Sequence, residues 1–391
     1  MKHGLLVLLA LTVLVGCGPT KSTSQTSDGA TLSESQRLNQ WLDGEFETYL
    51  DFSPMSKTRL GDKSDYDKLD DPSDAAADAR LAWRRVSVAS LKAEFDRNAL
   101  EPEAKRSYDL WVFMLDRAEA SLPYRRHEYV FGRNGPHTGL PNALINYHKV
   151  DSASDMQAYI ARLKASAGYF DAYLNRAKLA AAAGIRAPYF DYDVAVSQIQ
   201  RVTRGAPFTG EGTSALWADI TAKVDALVLA ESITAVEAEA LKTEAKTAIL
   251  QSMEPAYDRI NAWLEADRDS VPDTATGAWA LPEGAAFYAY RLKQMTTLPL
   301  TAEAIHQTGL DEVTRIQAEM NAIRKSVGFE GSLQDFFTHL RTSDEFYFEN
   351  TDEGRERYLQ LARDFISGIE AKLPDYFGIL PKGPLEVRRV E

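Results

Sequence analysis

The segment from Ser154 to about Ala182 constrains the fold most strongly, because its apolar residues recur at the spacing of one helix face. This stripe consists of Met156, Ile160, Leu163, Phe170 and Leu174. Residues three and four positions apart lie on the same side of an α-helix. A long helix with such a stripe needs other amphipathic helices to cover it. The segment therefore predicts a mainly α protein.

The same helical pattern recurs along the chain. Ser33 with Gln36, Thr31 with Glu34, and Thr234 with Glu237 fit the capping box, in which two side chains satisfy helix-start N–H groups. We predict helices near 73–97, 103–120, 154–182, 190–203, 213–230 and 234–266, and further helices beginning near Ala302, Ser332 and Thr351. The expected fold is a multi-helix, bundle-like arrangement. A little β structure is expected at 128–131 and 385–390.

Composition indicates a globular protein and makes nucleic acid an unfavourable partner. The 391 residues are 45% hydrophobic, which is enough to bury a core. The net charge is −13. Because binding to phosphate backbones needs a concentrated basic surface, we expect no nucleic acid partner.

The N-terminus indicates a lipoprotein. Residues 1–16 combine Lys2 with a short apolar run, as in a signal peptide. Leu14-Val15-Gly16-Cys17 is typical of a bacterial lipobox, so Cys17, the only cysteine, is the expected lipid attachment site. Residues 17–30 then form a flexible tether, and 31–391 form the helical domain. We expect a membrane-anchored protein in the cell envelope, facing the periplasm, with the outer membrane favoured by Gly18. The alternative is an ordinary secretory signal.

Residues 121–150 lose the helical periodicity and hold three of the six histidines. We predict a short strand at 128–131 and then a long loop. A loop of this kind on a rigid scaffold often lines a binding site. Arg133 and His137 are therefore candidate binding residues, and the alternative is a connector that wraps the helical core.

No complete catalytic motif is present in the sequence. His127-Glu128 lacks a second histidine four positions later, where Phe131 stands, so it does not match a zinc-binding helix. There is no Gly-x-Ser-x-Gly elbow and no phosphate-binding loop. His306 lies at the edge of a predicted buried stripe on the helix from Ala302. That stripe consists of Ile305, Gly309, Val313, Ile316, Met320 and Ile323.

The sequence resembles the bacterial family called domain of unknown function 885. The densest matching residues are Leu281, Pro282, Gly284, Tyr288, Thr296, Thr297, Leu300, Thr301, Ile305, His306, Gly309, Leu310 and Val313. Further matches are Phe52-Ser53-Pro54, Leu60-Gly61-Asp62, Gly328-Phe329 and Pro384-Leu385-Glu386-Val387-Arg388. The resemblance runs in order through residues 35–391.

The resemblance implies the N-terminal helical part of a zincin-like metallopeptidase. The family's metal-binding motif belongs after the segment Pro384–Arg388, so no catalytic residue or metal ligand is expected in this chain. Zinc is expected in a full-length family protein, with a peptide as substrate. The chain itself is expected to be truncated and inactive alone.

We expect one wall of the cleft to include Tyr288, Arg291, His306, Arg133 and His137. The alternative is a non-catalytic envelope lipoprotein that binds a peptide or protein partner.

Overall fold

The structure, a computed structural model, describes residues 32–387. Helices dominate it, as the sequence predicts. The first ten helices are α1 Glu34–Leu50, α2 Pro54–Leu60, α3 Asp74–Glu94, α4 Pro102–Ser121, α5 Pro136–Tyr147, α6 Ala153–Ala182, α7 Tyr189–Val202, α8 Ala215–Leu229, α9 Ala235–Ala248 and α10 Glu254–Arg268. The remaining helices are α11 Gly284–Thr296, α12 Ala302–Ser326, α13 Leu333–Thr342, α14 Asp352–Glu370 and α15 Leu373–Tyr376. The described chain divides into two compact units between Gln294 and Met295, which we call the first and second units.

The core of the first unit forms around α6. Met156, Ile160 and Leu163 are completely buried, as the helical stripe predicts. The same apolar cluster takes in residues of α5 and of α7 to α10. Helices α9 and α10 are joined through one π-helical turn at Ile249–Met253, which packs against α6. Helix α6 is therefore the centre of this apolar cluster.

A second, smaller core joins α1, α3 and α4. Leu38, Leu91, Phe95 and Tyr108 are among its buried residues. The ring of Trp41 makes edge contacts with the rings of Phe95 and Trp111. This aromatic packing holds α3 and α4 side by side.

Two predicted capping boxes form. The Ser33 hydroxyl accepts from the backbone N–H of Gln36, while the Gln36 side chain accepts from that of Ser33. Thr234 and Glu237 make the same reciprocal pair at the start of α9. These boxes satisfy N–H groups that a helix start leaves without internal partners. Thr31, the alternative start of α1, lies outside the described residues.

The predicted strand at 128–131 is wrong, because these residues are irregular and no strand within residues 32–387 pairs with them. The strands of the described part are β1 Arg204–Ala206 and β2 Thr209–Thr213. They pair in a two-stranded sheet, with Arg204 opposite Thr209 and Ala206 opposite Thr213 and an irregular register between. For the predicted strand 385–390, residues 385–387 are irregular, and 388–390 lie outside the described residues.

The long loop predicted within 121–150 is also partly wrong, since α5 occupies Pro136–Tyr147. Pro141 lies inside this helix and cannot donate to the carbonyl of His137, four residues earlier. Tyr257 of α10 supplies the missing donor, because its hydroxyl donates to the His137 carbonyl at 2.7 Å. The helix is therefore stabilised by a partner 120 residues away in sequence, which local periodicity does not reveal.

The second unit contains α12 to α15. The predicted buried stripe of α12 is wrong for this structure, because α12 has no buried residue. Val313 and Ile323 are 52% and 56% exposed. The amphipathic pattern is present, but no element of the second unit's described residues covers it. Among residues 32–387, no helix has the length and apolar character needed to span a membrane.

Candidate functional site

The first unit contains an open cleft of about 1250 Å³. One wall comes from α3 and α4, and the other from the segment 124–139, from α6 and from the beginning of α11. We call it the first-unit cleft. All of its lining residues lie between Asp70 and Arg291.

The first wall follows directly from helical spacing. Ala77, Arg80, Leu81 and Arg84 of α3 line the cleft at intervals of three and four residues. Met114, Arg117, Ala118 and Ser121 of α4 repeat the same intervals. Such positions share one helix face, so two neighbouring helices present a continuous strip to the cleft.

Aromatic rings build the opposite wall. Tyr124 stacks on Tyr290 with ring centroids 4.7 Å apart, and Phe287 lies 4.6 Å from the ring of His127. The Nε2 atom of His127 lies 2.8 Å from the carbonyl oxygen of Pro282. Because a carbonyl only accepts, Nε2 of His127 carries the proton. This bond and the ring contacts hold α11 against the segment after α4.

Gly284, the first residue of α11, allows this wall to form. A Cβ atom at this position would lie 2.0 Å from the carbonyl oxygen of Ala278. No side chain fits there without a shift of the backbone. The close approach positions Tyr288 and Arg291, one and two turns further along α11, at the cleft.

Ion pairs neutralise several charges at the cleft. Arg176 donates to Glu128 at 2.9 Å, and Arg126 pairs with Asp74. The Arg126 guanidinium holds the pKa of the Asp74 carboxyl below its usual range. Arg84 is different: it is only 8% exposed, and its Nη1 atom is enclosed without a hydrogen-bond partner.

The sequence pattern of the bacterial proteins of unknown function called DUF885 matches residues 54–391. This match covers most of the chain. The chain belongs to the DUF885 family. The first-unit cleft, with lining residues between Asp70 and Arg291, falls within the matched part.

Two solved structures share the fold of this DUF885 chain. A candidate lipoprotein from Colwellia psychrerythraea is 19% identical with a TM-score of 0.73, over 90% of this chain and 61% of its own. A candidate lipoprotein of unknown function from Shewanella oneidensis is 16% identical with a TM-score of 0.50, over 88% of this chain and 56% of its own. The chain thus spans about three fifths of the length of these relatives. No curated protein matches it.

The structure brings together only some of the predicted site residues. Tyr288 and Arg291 line the first-unit cleft. Arg133 is exposed and does not line the cleft, while its backbone carbonyl accepts from the Gln198 side chain at 3.0 Å. His306 lies on α12 in the second unit, where its side chain is exposed. Cys17 lies outside the described residues.

His137 is fully buried and does not line the cleft. Its Nε2 atom lies 2.8 Å from the Oε1 atom of Gln198, so the neutral ring donates to the amide oxygen. Burial lowers the pKa of His137, and the bond to Gln198 opposes this change. A Cβ at Gly135 would lie 2.5 Å from the His137 ring, so the histidine packs directly against backbone. This environment is that of a structural residue.

Sequence reasoning missed Arg84, Arg80, Arg117 and Tyr124 as cleft residues. The spacing of Arg80 and Arg84 gives a signal, because two arginines four positions apart share a face of α3. What the sequence does not reveal is that this face borders a cleft and not solvent.

The described residues do not fit the zinc ion that the family resemblance implies. Within 32–387, no three His, Cys, Asp or Glu side chains lie together in a group that could hold a metal ion. We therefore assign no metal ligand in this part of the chain.

Proposed function

We propose that this chain is a lipid-anchored protein of the bacterial cell envelope that binds peptides in the first-unit cleft. The lipobox ending at Cys17 supports the anchor, and the descriptions of both structural relatives agree with it. The lining of the cleft, which combines aromatic rings with guanidinium groups, is the observation that carries the proposal.

The size and chemistry of the cleft suit a peptide. Drug-sized ligands occupy pockets of roughly 300–1000 Å³. The first-unit cleft, at about 1250 Å³, exceeds that range and is not an enclosed cavity. Tyr124, Phe287 and Tyr290 provide apolar ring surface for side chains, while Tyr288 and Arg291 bring polar groups to the same wall. An extended peptide with alternating apolar and polar groups can contact both the aromatic rings and these polar groups.

Peptide hydrolysis is our proposal for a longer protein of the family. The chain spans 61% and 56% of the two related structures, which supports our proposal that it corresponds to the helical part of such a protein. A zinc ion bound elsewhere in that protein would activate water for attack on an amide. The residues described here would bind and orient the peptide.

A binding titration separates these roles. The full chain in detergent is titrated with short synthetic peptides by calorimetry, and cleavage of the same peptides is followed by mass spectrometry with and without added zinc. We expect saturable binding at micromolar to millimolar dissociation constants and no cleavage. Tyr288→Ala should weaken binding by removing ring surface from the cleft wall. Absence of binding, or equal binding by the Tyr288→Ala variant, would contradict the proposed function.

The alternative, a non-catalytic envelope lipoprotein with a protein partner, predicts a different result. Short peptides would then bind no better than a scrambled control, and affinity would appear only with a folded envelope protein. Zinc-dependent cleavage by this chain alone would contradict both proposals.

A further inference from the structure

Arg84 carries a buried positive charge that no group of the described chain neutralises. Its side chain lines the first-unit cleft, yet the residue is only 8% exposed. Nη1 is enclosed without a hydrogen-bond partner, and within residues 32–387 no carboxylate lies at ion-pair distance from the guanidinium. Burying a charge without a partner is costly, so such residues are rare unless they serve a ligand.

A second buried arginine of the first unit, Arg162, has protein partners for its guanidinium. Arg162 donates from Nε to the carbonyl of Lys68 at 2.8 Å and from Nη2 to the Thr58 hydroxyl at 2.7 Å. Its Nη1 atom donates to the His148 ring at 3.0 Å. Arg162 is therefore satisfied by protein groups, and Arg84 is not.

Aromatic rings hold the Arg84 guanidinium in place. Its central carbon lies 5.7 Å from the ring centroids of Tyr49 and Trp83 and 5.9 Å from that of Trp111. Ring faces attract a cation without neutralising it. Burial is the main cause that lowers the pKa of Arg84, and the nearby charge of Arg80 adds to it. The side chain is positioned but remains electrostatically uncompensated.

Two further arginines line the wall of the cleft that α3 and α4 form. Arg80 precedes Arg84 by four residues on α3, and Arg117 lines the cleft from α4. Both are exposed, and Arg117 lies 5.7 Å over the ring of Phe113. Like charges four residues apart on a helix repel each other. A bound anion would offset this repulsion.

The carboxylates that line the cleft are already engaged. Asp74 pairs with Arg126, and Glu128 pairs with Arg176. Asp70 accepts hydrogen bonds from the Ser53 hydroxyl and from the backbone N–H of Met55, and Asp71 accepts from the backbone N–H of Ser73 at 2.8 Å. None of them reaches Arg84, so the positive charge is free for a ligand.

We propose that Arg84, together with Arg80 and Arg117, binds an oxyanion group of the ligand, a carboxylate or a phosphate. The inference rests on the proposed function where the ligand is a peptide, and there the group is its C-terminal carboxylate. A guanidinium presents a planar fork of donors that matches the two oxygens of such a group. The aromatic rings hold this fork in place before the ligand arrives.

Calorimetric titration of the full chain with three probes tests the proposal. The probes are a short peptide with uncharged side chains and a free C-terminal carboxylate, the same peptide as its amide, and inorganic phosphate. We expect the free acid to bind about tenfold or more tightly than the amide, as a charged hydrogen bond to a buried group implies. In the Arg84→Gln variant this preference should disappear.

Matched variants keep the result interpretable. Arg85→Gln removes the same charge from the neighbouring position on α3, where the side chain pairs with Glu119 outside the cleft, and should keep the preference. Arg117→Gln changes an exposed residue and should reduce the preference without loss of folding. Arg84→Lys retains the charge but lacks the planar fork of guanidinium donors. This variant should therefore show only part of the preference for the free acid.

The outcomes separate the inference from the proposed function. Equal binding of acid and amide by the wild-type chain, or an unchanged preference in Arg84→Gln, would overturn the oxyanion site while leaving peptide binding intact. Binding of phosphate that depends on Arg84, with neither peptide bound, would support the oxyanion site and overturn the peptide function.

Discussion

Arg162 and His148 form a buried hydrogen bond of 3.0 Å, from Nη1 of the arginine to Nδ1 of the histidine. On the other side of the ring, Nε2 of His148 lies 3.0 Å from the carbonyl oxygen of Asp155. A guanidinium only donates and a carbonyl only accepts, so Nδ1 holds a lone pair and Nε2 holds the proton. The His148 ring is therefore neutral in the folded protein.

This arrangement predicts a loss of stability in mild acid. Burial is the main cause that lowers the pKa of His148, from its ordinary value of 6.5 to about 4. Between these values the unfolded chain binds more protons than the folded one, so unfolding becomes easier as the pH falls. The neutral His148 ring therefore contributes about 3 kcal/mol to the free energy of unfolding above pH 6.5, and this contribution is lost by about pH 4.

The measurement is urea unfolding followed by circular dichroism across this pH range, for wild type and His148→Gln. The variant should be less stable at neutral pH, yet its free energy of unfolding should fall less steeply with acid. Part of the slope will remain, because burial also lowers the pKa of His137. Parallel slopes for the two proteins would show that His148 is not neutral in the fold.

Arg84 and Arg162 should respond in opposite ways to replacement by methionine. Arg162→Met leaves the Lys68 carbonyl and the His148 ring without their donor, and we expect a loss of about 3 kcal/mol. Arg84→Met removes an unpaired buried charge, so the free energy of unfolding should stay within about 1 kcal/mol of wild type or rise. Urea midpoints of the three proteins decide this. A loss for Arg84→Met as large as that for Arg162→Met would mean that Arg84 has a protein partner in solution.

Gly284→Ala should damage the cleft wall. The new Cβ would lie 2.0 Å from the Ala278 carbonyl oxygen, and relief of such a clash costs about 1–3 kcal/mol. Peptide affinity should fall with stability, because α11 carries Tyr288. Gly168→Ala is the control: it lies inside α6 with open space around it, and should stabilise by about 0.5–1 kcal/mol. Thermal unfolding and calorimetry report both quantities; similar effects of the two substitutions would refute the close approach at Gly284.

The proposed anchor predicts that Cys17→Ser releases the protein from the membrane. Without a thiol, no acyl chain can be attached, and several acyl chains are what hold a lipoprotein on a bilayer. Metabolic labelling with a fatty acid and fractionation of the cell envelope give the result. The labelled wild-type protein should be found in the membrane fraction, mainly in the outer membrane. The variant should carry no label. Equal labelling of both would exclude Cys17 as the attachment site.

Much of the helical architecture could be predicted from the sequence, because it depends on local signals. The Ser33 and Thr234 capping boxes and the α6 stripe need only neighbours within a turn or two. Helix α5 could not be predicted in this way. Its proline leaves the His137 carbonyl without a backbone donor, and Tyr257, far away in sequence, donates to that carbonyl instead.

The α12 stripe shows the limit of periodicity as evidence for burial. Its apolar residues share one face, yet Val313, Ile316 and Ile323 are between 38% and 56% exposed. Periodicity predicts which side of a helix is apolar, but not which element covers it. The same limit applies to the cleft. Tyr288 could be proposed as a cleft residue from the sequence, whereas Arg84 could not, because the sequence does not reveal what borders α3.

The most direct test of the central claim, that the first-unit cleft binds the peptide, is site-specific photocrosslinking in the full chain. Benzoylphenylalanine replaces Tyr288 at the cleft in one variant and Tyr347, an exposed residue of the second unit, in another. We predict that a bound peptide crosslinks at position 288, that excess unlabelled peptide suppresses this product, and that position 347 gives none. Crosslinking at position 347 alone, or a product at position 288 that excess peptide leaves unchanged, would contradict the claim.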